Sequence, residues 1–99
     1  MRMMLRILMP VESGNSAVKD GSLPRAFQSL SERLKPEAAY FFPDEGKRSA
    51  MFVFDMQEAS QIPPIVEPLF MGMNAAITLC PVMNAADLAK GLGEAAKLG

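Results

Sequence analysis

Apolar stretches bounded by turn-forming residues predict four β-strands. Each stretch is rich in aliphatic, aromatic or β-branched side chains and ends at proline, glycine, aspartate or asparagine, as is typical of strands. The stretches cover residues 3–9, 38–42, 50–56 and about 75–82. A short polar segment with Pro43, Asp44 and Gly46 separates the second stretch from the third, which predicts a β-hairpin.

The first predicted helix lies between the first two strands. Ser22 is a good N-cap, and Pro24 falls in the first turn, where its missing N–H costs nothing. The apolar positions then recur at helical spacing up to about Leu34, and Pro36 ends the helix. We expect residues 11–21 to be irregular or to form a short helical turn.

Two more helices are predicted in the second half of the chain. One begins near Gln61 and should be short, kinked or interrupted near Glu67, because Pro68 removes a backbone hydrogen bond and clashes with the preceding turn. The other follows Asn84, which can cap it. Its apolar stripe, which we expect to face the domain, consists of Leu88, Leu92 and Ala95 or Ala96.

The order of these elements predicts an α+β, ferredoxin-like fold. Residues 3–42 and 50–83 each form a strand-helix-strand unit, which is the split βαβ pattern, and a helix follows at the end. The result is a four-stranded antiparallel sheet with helices on one side and an extra C-terminal helix. With 99 residues the chain has room for one domain, residues 1–99.

Both faces of the predicted strands are mainly apolar, which predicts a homodimer. A sheet face in contact with water should carry polar residues at every second position. In residues 50–56, one face carries Met51, Val53 and Asp55 and the other carries Phe52, Phe54 and Met56. Such a face would exceed the few hundred Å² of contiguous apolar surface that soluble monomers usually expose. A second copy is the simplest cover, through an isologous contact that makes a dimeric α/β barrel.

Composition and charge make several partners and locations improbable. The net charge is −1 and the basic residues are scattered, so we expect no nucleic acid partner. Prolines break residues 62–83 into pieces too short for a bilayer, so we expect no membrane span. Arg6 interrupts the apolar N-terminal stretch and no cleavage site follows, which favours a strand over a leader and a cytoplasmic protein. The chain has no histidine and one cysteine, Cys80, so we expect no metal and no cofactor.

Arg6 is the strongest candidate for a functional side chain. A charge in the middle of a strand is costly unless it is paired or faces a polar cavity. Arg6 should share a face with Thr78 and with Asp55 or Tyr40, and a guanidinium in an apolar cavity suits a carboxylate or enolate ligand. The alternative interpretation is an ion pair with Asp55 or Glu67 that only satisfies the charge.

The remaining candidates each have a structural interpretation. Tyr40 could donate a hydrogen bond in a pocket, although an aromatic residue in a hairpin commonly packs across strands. Asp55 and Glu67 could act as an acid and a base, but they lack a recognisable spacing. Asn74 could line a pocket mouth or form a turn.

Three segments carry a resemblance to a known family. They are the opening strand Met-Arg-Met-Met-Leu-Arg-Ile-Leu, the hairpin from Ala-Ala-Tyr-Phe-Phe to Phe-Val-Phe-Asp-Met, and Pro-Val-Met-Asn before the last helix. The pattern resembles the dimeric α/β-barrel superfamily, which includes muconolactone isomerase and small cofactorless monooxygenases. It is most similar to the short uncharacterised bacterial proteins of that group. The resemblance implies a fold and a pairing of chains, and it leaves the activity open.

Two functions are therefore predicted. The first is a soluble homodimer that binds a small aromatic, lactone or carboxylate molecule in an apolar pocket, with an isomerase-like or cofactorless monooxygenase-like activity as an extension. The alternative is a non-catalytic structural or interaction homodimer with a filled core. A cavity that touches Arg6 favours the first function, and an Arg6 paired with a carboxylate favours the second.

Overall fold

The computed structural model describes residues 1–99 as one α+β domain with four strands and four α-helices. The strands are β1 (Arg2–Leu8), β2 (Ala38–Asp44), β3 (Lys47–Asp55) and β4 (Ala76–Pro81). The helices are α1 (Val11–Lys19), α2 (Ser22–Leu34), α3 (Ile62–Met73) and α4 (Ala85–Ala96), and a 3₁₀ turn (Ala59–Gln61) precedes α3.

The sheet has the strand order β2-β3-β1-β4, and all neighbouring strands are antiparallel. β1 therefore lies in the interior of the sheet and pairs with β3 and β4, the two strands of the second half of the chain. This order, with helices in both strand-to-strand crossovers, is the ferredoxin-like arrangement. The predicted fold class is confirmed.

The hydrophobic core lies between one face of the sheet and helices α1 to α3. Because side chains alternate along a strand, the odd-numbered residues of β1 and the even-numbered residues of β3 point to the same face. Leu5, Ile7, Phe52 and Phe54 on that face are essentially inaccessible to water. The helices complete a cluster of 16 buried apolar residues, with Leu30 of α2 and Leu69 of α3 among them.

The opposite side of the sheet carries no helix. We call it the open sheet face and define it by the residues that alternate with the core: Met4, Arg6, Leu8, Tyr40, Phe42, Asp44, Ser49, Met51, Val53, Thr78 and Cys80. Most of these side chains are half-buried by their neighbours in the sheet, and Tyr40 is exposed. The sheet is thus closed on one side only within a single chain.

Two of the helices that cover the sheet, α1 and α3, differ from the sequence predictions. Residues 11–19 form a regular nine-residue helix, α1, where an irregular segment or a short helical turn was predicted. Helix α3 runs unbroken through Pro68, so the predicted interruption was wrong. Pro68 leaves the carbonyl of Pro64 without its usual helical donor. The guanidinium of Arg33 replaces that donor, with its Nη2 atom 2.6 Å from the Pro64 oxygen.

The turns are tighter than the sequence suggests. Strands β2 and β3 extend to Asp44 and from Lys47, and only Glu45 and Gly46 connect them, both at positive φ. Positive φ at both central residues is typical of the type I′ hairpin turn, which matches the twist of the strands. At the start of α2, Gly21 rather than Ser22 is the N-cap residue.

Helix α4 extends away from the domain. Asn84 caps it as predicted, since its Oδ1 atom accepts a hydrogen bond of 2.8 Å from the Asp87 amide. The predicted inward stripe was wrong: α4 buries no residue, and Leu88 and Leu92 are 46% and 61% exposed. The radius of gyration is 15.9 Å, whereas a compact chain of this length has about 13 Å. No helix, α4 included, combines the length and apolar character needed to cross a bilayer.

Candidate functional site

The structure brings three of the predicted site residues together on the open sheet face. Arg6 lies in the middle of β1, opposite Thr78 of β4 and Met51 of β3, and Tyr40 lies opposite Met51 on β2. Arg6, Tyr40 and Thr78 therefore form one row across the sheet. The sequence analysis predicted a shared face for Arg6 with Thr78 and with Asp55 or Tyr40. A fourth side chain, which the sequence analysis missed, contacts Arg6 from the end of β2.

That side chain is Asp44, which forms an ion pair with Arg6. The pair joins β1 to β2 and so crosses β3 near the level of Ser49, which lies between Leu8 and Phe42 in the register. The sequence analysis expected Asp55 or Glu67 as the partner, and that expectation was wrong. Asp44 was overlooked because it was assigned to the turn, although it is in phase with Tyr40 and Phe42.

Ser49 is the buried polar residue beneath this ion pair. It is 4% exposed, and its hydroxyl is the one buried side-chain polar atom with no hydrogen-bond partner. Buried polar atoms normally have a partner, so this hydroxyl keeps unused hydrogen-bonding capacity on the open sheet face. The sequence analysis missed it because a serine in a strand has no distinctive spacing.

The space beside Arg6 is too small for an organic ligand in a single chain. Arg6, Leu8 and Thr78 border a depression of about 90 Å³ on the open sheet face. Sites for small organic molecules usually measure about 300 to 1,000 Å³. The role of Arg6 in ligand binding therefore stays a prediction.

The other predicted residues lie apart from this row. Asp55 is at the far end of the open side of the sheet, where its Oδ1 atom lies 2.6 Å from the amino group of Met1. Glu67 is exposed on α3. Asn74 ends α3 in the left-handed conformation, with φ of 51°. The structure therefore does not bring the carboxylates of Asp55 and Glu67 together as an acid and base pair.

A larger site, which the sequence analysis did not predict, lies on the helix side of the sheet. It is a cleft of about 430 Å³ between α2 and the β2–β3 hairpin, which we call the hairpin cleft. Strand alternation directs the side chains of Met9, Phe41, Pro43 and Arg48 toward the helix layer, where Leu23, Pro24 and Phe27 of α2 meet them. Phe42 and Ser49, which belong to the open sheet face, complete the lining at the edge of the cleft.

Aromatic rings form the apolar wall of the hairpin cleft. The ring centroids of Phe27 and Phe41 are 5.2 Å apart, and those of Phe41 and Phe52 are 5.8 Å apart with the planes nearly perpendicular. Such tilted and edge-to-face contacts are favoured by the ring quadrupoles. Phe52 is buried and anchors the group, whereas Phe41 is 57% exposed and leaves part of its ring free for a ligand.

Arg48 supplies the only charge in the cleft. Its side chain is half-buried, and no carboxylate lies within ion-pairing distance of its guanidinium. Its Nη1 atom donates a hydrogen bond of 3.0 Å to Oδ1 of Asn15 on α1. The other N–H groups of the guanidinium are without a protein partner among the hydrogen bonds of the chain, so they are available to a ligand.

Gly14 explains how the Arg48 side chain reaches this position. Gly14 is buried in the middle of α1, where glycine costs helical stability. A Cβ atom at residue 14 would lie 2.9 Å from Nη1 of Arg48, which is too close. The glycine therefore lets the guanidinium pass across α1 and meet Asn15.

Two groups outside the cleft have shifted pKa values. The hydrogen bond from Arg2 to Glu37, followed by the charge of that carboxylate, raises the pKa of Arg2. Hydrogen bonds from the hydroxyl and the amide of Ser22 lower the pKa of Asp20 from its ordinary value of 3.8. Both groups are at the surface, and both keep their usual charge at neutral pH.

Comparisons with known proteins leave the family open. No protein-family model matches the chain, and no curated protein has a significantly similar sequence. The chain also contains no group of three histidine, cysteine, aspartate or glutamate side chains placed to hold a metal ion. The fold assignment therefore rests on topology, and the candidate site rests on its own geometry.

Proposed function

We propose that this protein binds a small organic carboxylate in the hairpin cleft. The observation that carries the proposal is an arginine without a countercharge, Arg48, at one side of an apolar cleft of about 430 Å³. The carboxylate of the ligand would pair with the guanidinium, and its apolar body would lie against the phenylalanine wall.

The chemistry of Arg48 supports a carboxylate over other ligands. A guanidinium is planar and always charged, and its N–H groups match the two oxygens of a carboxylate. Its contact with Asn15 through one Nη1 hydrogen bond holds the group in place and leaves other donors free. A charge that is half removed from water gains more from a paired anion than an exposed one does.

The shape and lining of the cleft support an aromatic or similarly flat body. Phe27 and Phe41 present ring surface at the apolar wall, and Leu23 and Met9 add aliphatic surface. A flat ring can stack in the offset geometry on Phe41 while Arg48 holds its acid group. The volume is sufficient for a molecule of one or two rings, which is within the range of small-ligand sites.

Binding is better supported than catalysis. General acid–base chemistry needs a group that can exchange a proton near neutral pH, and the hairpin cleft contains no carboxylate, thiol or histidine. We therefore propose isomerase-like or cofactorless monooxygenase-like activity only as an extension, in which the ligand supplies its own reactive group. Membership of the dimeric α/β-barrel superfamily is part of the same proposal and is supported by the strand order. A cytoplasmic location and a bacterial origin stay predictions.

The test is a binding experiment with matched arginine variants. Aromatic, lactone and aliphatic acids, each with its neutral amide, are screened against the protein by ligand-observed NMR, and the dissociation constants of the acids that bind are measured. Arg48→Met keeps most of the side-chain length and removes the charge. We expect it to raise the dissociation constant of the acids by about tenfold to a hundredfold, which corresponds to the loss of one or two charge-assisted hydrogen bonds.

Two controls make the result decisive. Arg25→Met changes an exposed arginine on α2 and should leave the affinity unchanged. Arg6→Met tests the alternative location on the open sheet face. If Arg6→Met abolishes binding while Arg48→Met does not, the site is on the open sheet face and the proposal is wrong. The absence of any binder in the panel, or equal affinity for acids and amides, would also contradict it.

A structural homodimer is the second candidate function. One observation favours it: Arg6 is paired with Asp44 and borders no cavity of ligand size, as the alternative interpretation requires. The two functions are compatible, because most of the hairpin cleft lies on the helix side of the sheet and only Phe42 and Ser49 of its lining belong to the open sheet face.

A further inference from the structure

Helix α4 has an apolar side that nothing in the chain covers. Leu88 and Leu92, one turn apart, are both largely exposed, and they lie between alanines at positions 85 and 95. The opposite side carries the polar residues Asp87, Lys90, Glu94 and Lys97. This division is typical of a helix that packs against a partner on one side.

Helix α4 is also too weak to stand alone. It has 12 residues, which is near the lower limit for a marginally stable isolated helix in water. Gly91 and Gly93 in its interior each cost about 1 kcal/mol of helical stability relative to alanine. Its regular structure therefore calls for packing that α1, α2 and α3 do not provide.

The start of α4 is fixed beside the open sheet face. Arg2, which alternates in phase with Met4 and Arg6, lies 3.5 Å from Asp87 through its Nη1 atom. Beyond that contact the helix leads away from the sheet, and the molecule reaches a length of 55 Å. A groove of about 640 Å³, bordered by Arg2, Val82 and Asp87, separates the helix from the end of the sheet.

The area of the open sheet face argues for a second copy that brings its own α4. Four strands of six residues give a face of about 20 Å by about 20 Å, or about 400 Å². Each partner of a stable dimer buries about 800 Å². An α4 helix about 18 Å long and about 10 Å wide adds about 180 Å² per chain, which brings the buried area close to the lower end of the range for stable dimers.

The charges on the open sheet face are compatible with self-association. Arg6 is paired with Asp44, and Arg2 is shared between Glu37 and Asp87. Two copies of this face can therefore meet without bringing unpaired like charges together, which would oppose an isologous contact. A strongly charged partner of another kind would find no countercharge there.

We propose that the protein forms a two-fold dimer in which α4 of each chain packs its Leu88 and Leu92 side on the open sheet face of the other chain. The two sheets face each other, and the two helices cross between the chains. This exchange covers both apolar surfaces with one isologous interface. The α4 contact does not use the hairpin cleft, most of whose lining lies on the helix side of each sheet.

The first test measures the association of the full chain. Analytical ultracentrifugation of the wild type should give twice the 10.8 kDa chain mass at micromolar concentration. Leu88→Gln with Leu92→Gln should raise the dimer dissociation constant by about a hundredfold or more, because four leucines per dimer lose apolar burial. Lys90→Gln with Lys97→Gln, on the polar side of α4, is the matched control and should leave the dimer unchanged. Circular dichroism checks that each variant is folded.

The second test distinguishes exchange between chains from folding back within one chain. Cys80 is the only cysteine and lies on the open sheet face. A tagged chain with Cys80→Ser and Leu92→Cys is mixed with wild-type chains and oxidised mildly. A mixed disulfide between tagged and wild-type chains is expected, and Leu88→Cys in place of Leu92→Cys provides a second position. Lys90→Cys is the control and should not cross-link.

Three outcomes would overturn the proposal. The first is a monomeric wild type at all concentrations measured. The second is a dimer that the leucine variant leaves intact, which would show that α4 is not part of the interface. The third is an intrachain disulfide in a Leu92→Cys chain that keeps Cys80 and is oxidised alone, which would show that α4 covers its own sheet.

Discussion

The two faces of the sheet are built from the same strands, yet they differ in how they are closed. On the helix side, Phe52 and Leu5 are fully buried by α1, α2 and α3. On the open sheet face, their neighbours Met51 and Arg6 are only half-buried, and an ion pair to Asp44 lies among apolar side chains. The difference shows that apolar residues at alternate strand positions predict a surface that needs to be buried. They do not predict whether the same chain or another molecule covers that surface.

The largest expected effect compares adjacent residues of β3. Phe52→Ala should lower the free energy of unfolding by about 3 to 5 kcal/mol, because it leaves a cavity in the closed core. The Met51 side chain points to the open sheet face, so Met51→Ala should lower the free energy of unfolding of the monomer by less than about 1 kcal/mol. Urea unfolding at low protein concentration measures both. Equal losses would mean that the two faces are equally closed within one chain.

The ion pair on the open sheet face should have a smaller effect. Asp44→Asn removes the charge partner of half-exposed Arg6 and should destabilise the monomer by about 1 kcal/mol or less, the usual value of a partly exposed pair. Adding Arg6→Met to Asp44→Asn should cause little further loss, which a double-mutant cycle would detect. A loss of several kcal/mol would instead indicate that the pair is buried, as in the proposed dimer.

The helix side offers a change that separates stability from binding. Gly14→Ala should raise the helical stability of α1 by up to about 1 kcal/mol, but its Cβ would displace the Arg48 guanidinium. We expect an unfolding free energy near or above that of the wild type and a weaker affinity for organic acids. Thermal unfolding and ligand titration check the two parts. An unchanged affinity would show that the position of Arg48 is unimportant.

The smallest effect concerns Asp20 at the start of α2. Its pKa is lowered below 3.8 in the folded chain, so the charged form contributes stability at pH values above that figure and loses it as the pH falls through the folded pKa. Asp20→Asn keeps an oxygen for the Ser22 amide and removes the charge. The small stability advantage of the wild type over this variant should therefore shrink as the pH falls below about 4. A gap that stays constant as the pH falls below that figure would contradict this assignment.

The elements that could be predicted were those with a regular spacing of apolar residues or a recognisable capping residue. The four strands, the helix α2 and the cap at Asn84 could be placed from apolar spacing and turn residues alone. The continuity of α3 could not, because it depends on Arg33, 31 residues from Pro64 in sequence, which donates to the carbonyl that Pro68 leaves free. The position of α4 also could not, since an apolar stripe does not specify which surface it meets.

The candidate site was less predictable than the fold. A shared face for Arg6 and Thr78, with Asp55 or Tyr40 as the third residue, could be predicted from strand alternation and strand order. Their arrangement as one row with Tyr40 depends on the strand register. Arg48 was missed because its significance comes from the lack of a nearby carboxylate and from the approach of α2 to the hairpin. Neither of these is a property of the local sequence.

By itself, the sequence determined the elements, their order and the two apolar faces, because hydrophobic period and turn chemistry act over a few neighbouring residues. Only the tertiary structure decided which face the helices close, which carboxylate Arg6 meets, and where an unpaired guanidinium lies against aromatic rings. Those outcomes depend on distances between residues far apart in the chain, which folding sets through packing of the whole domain.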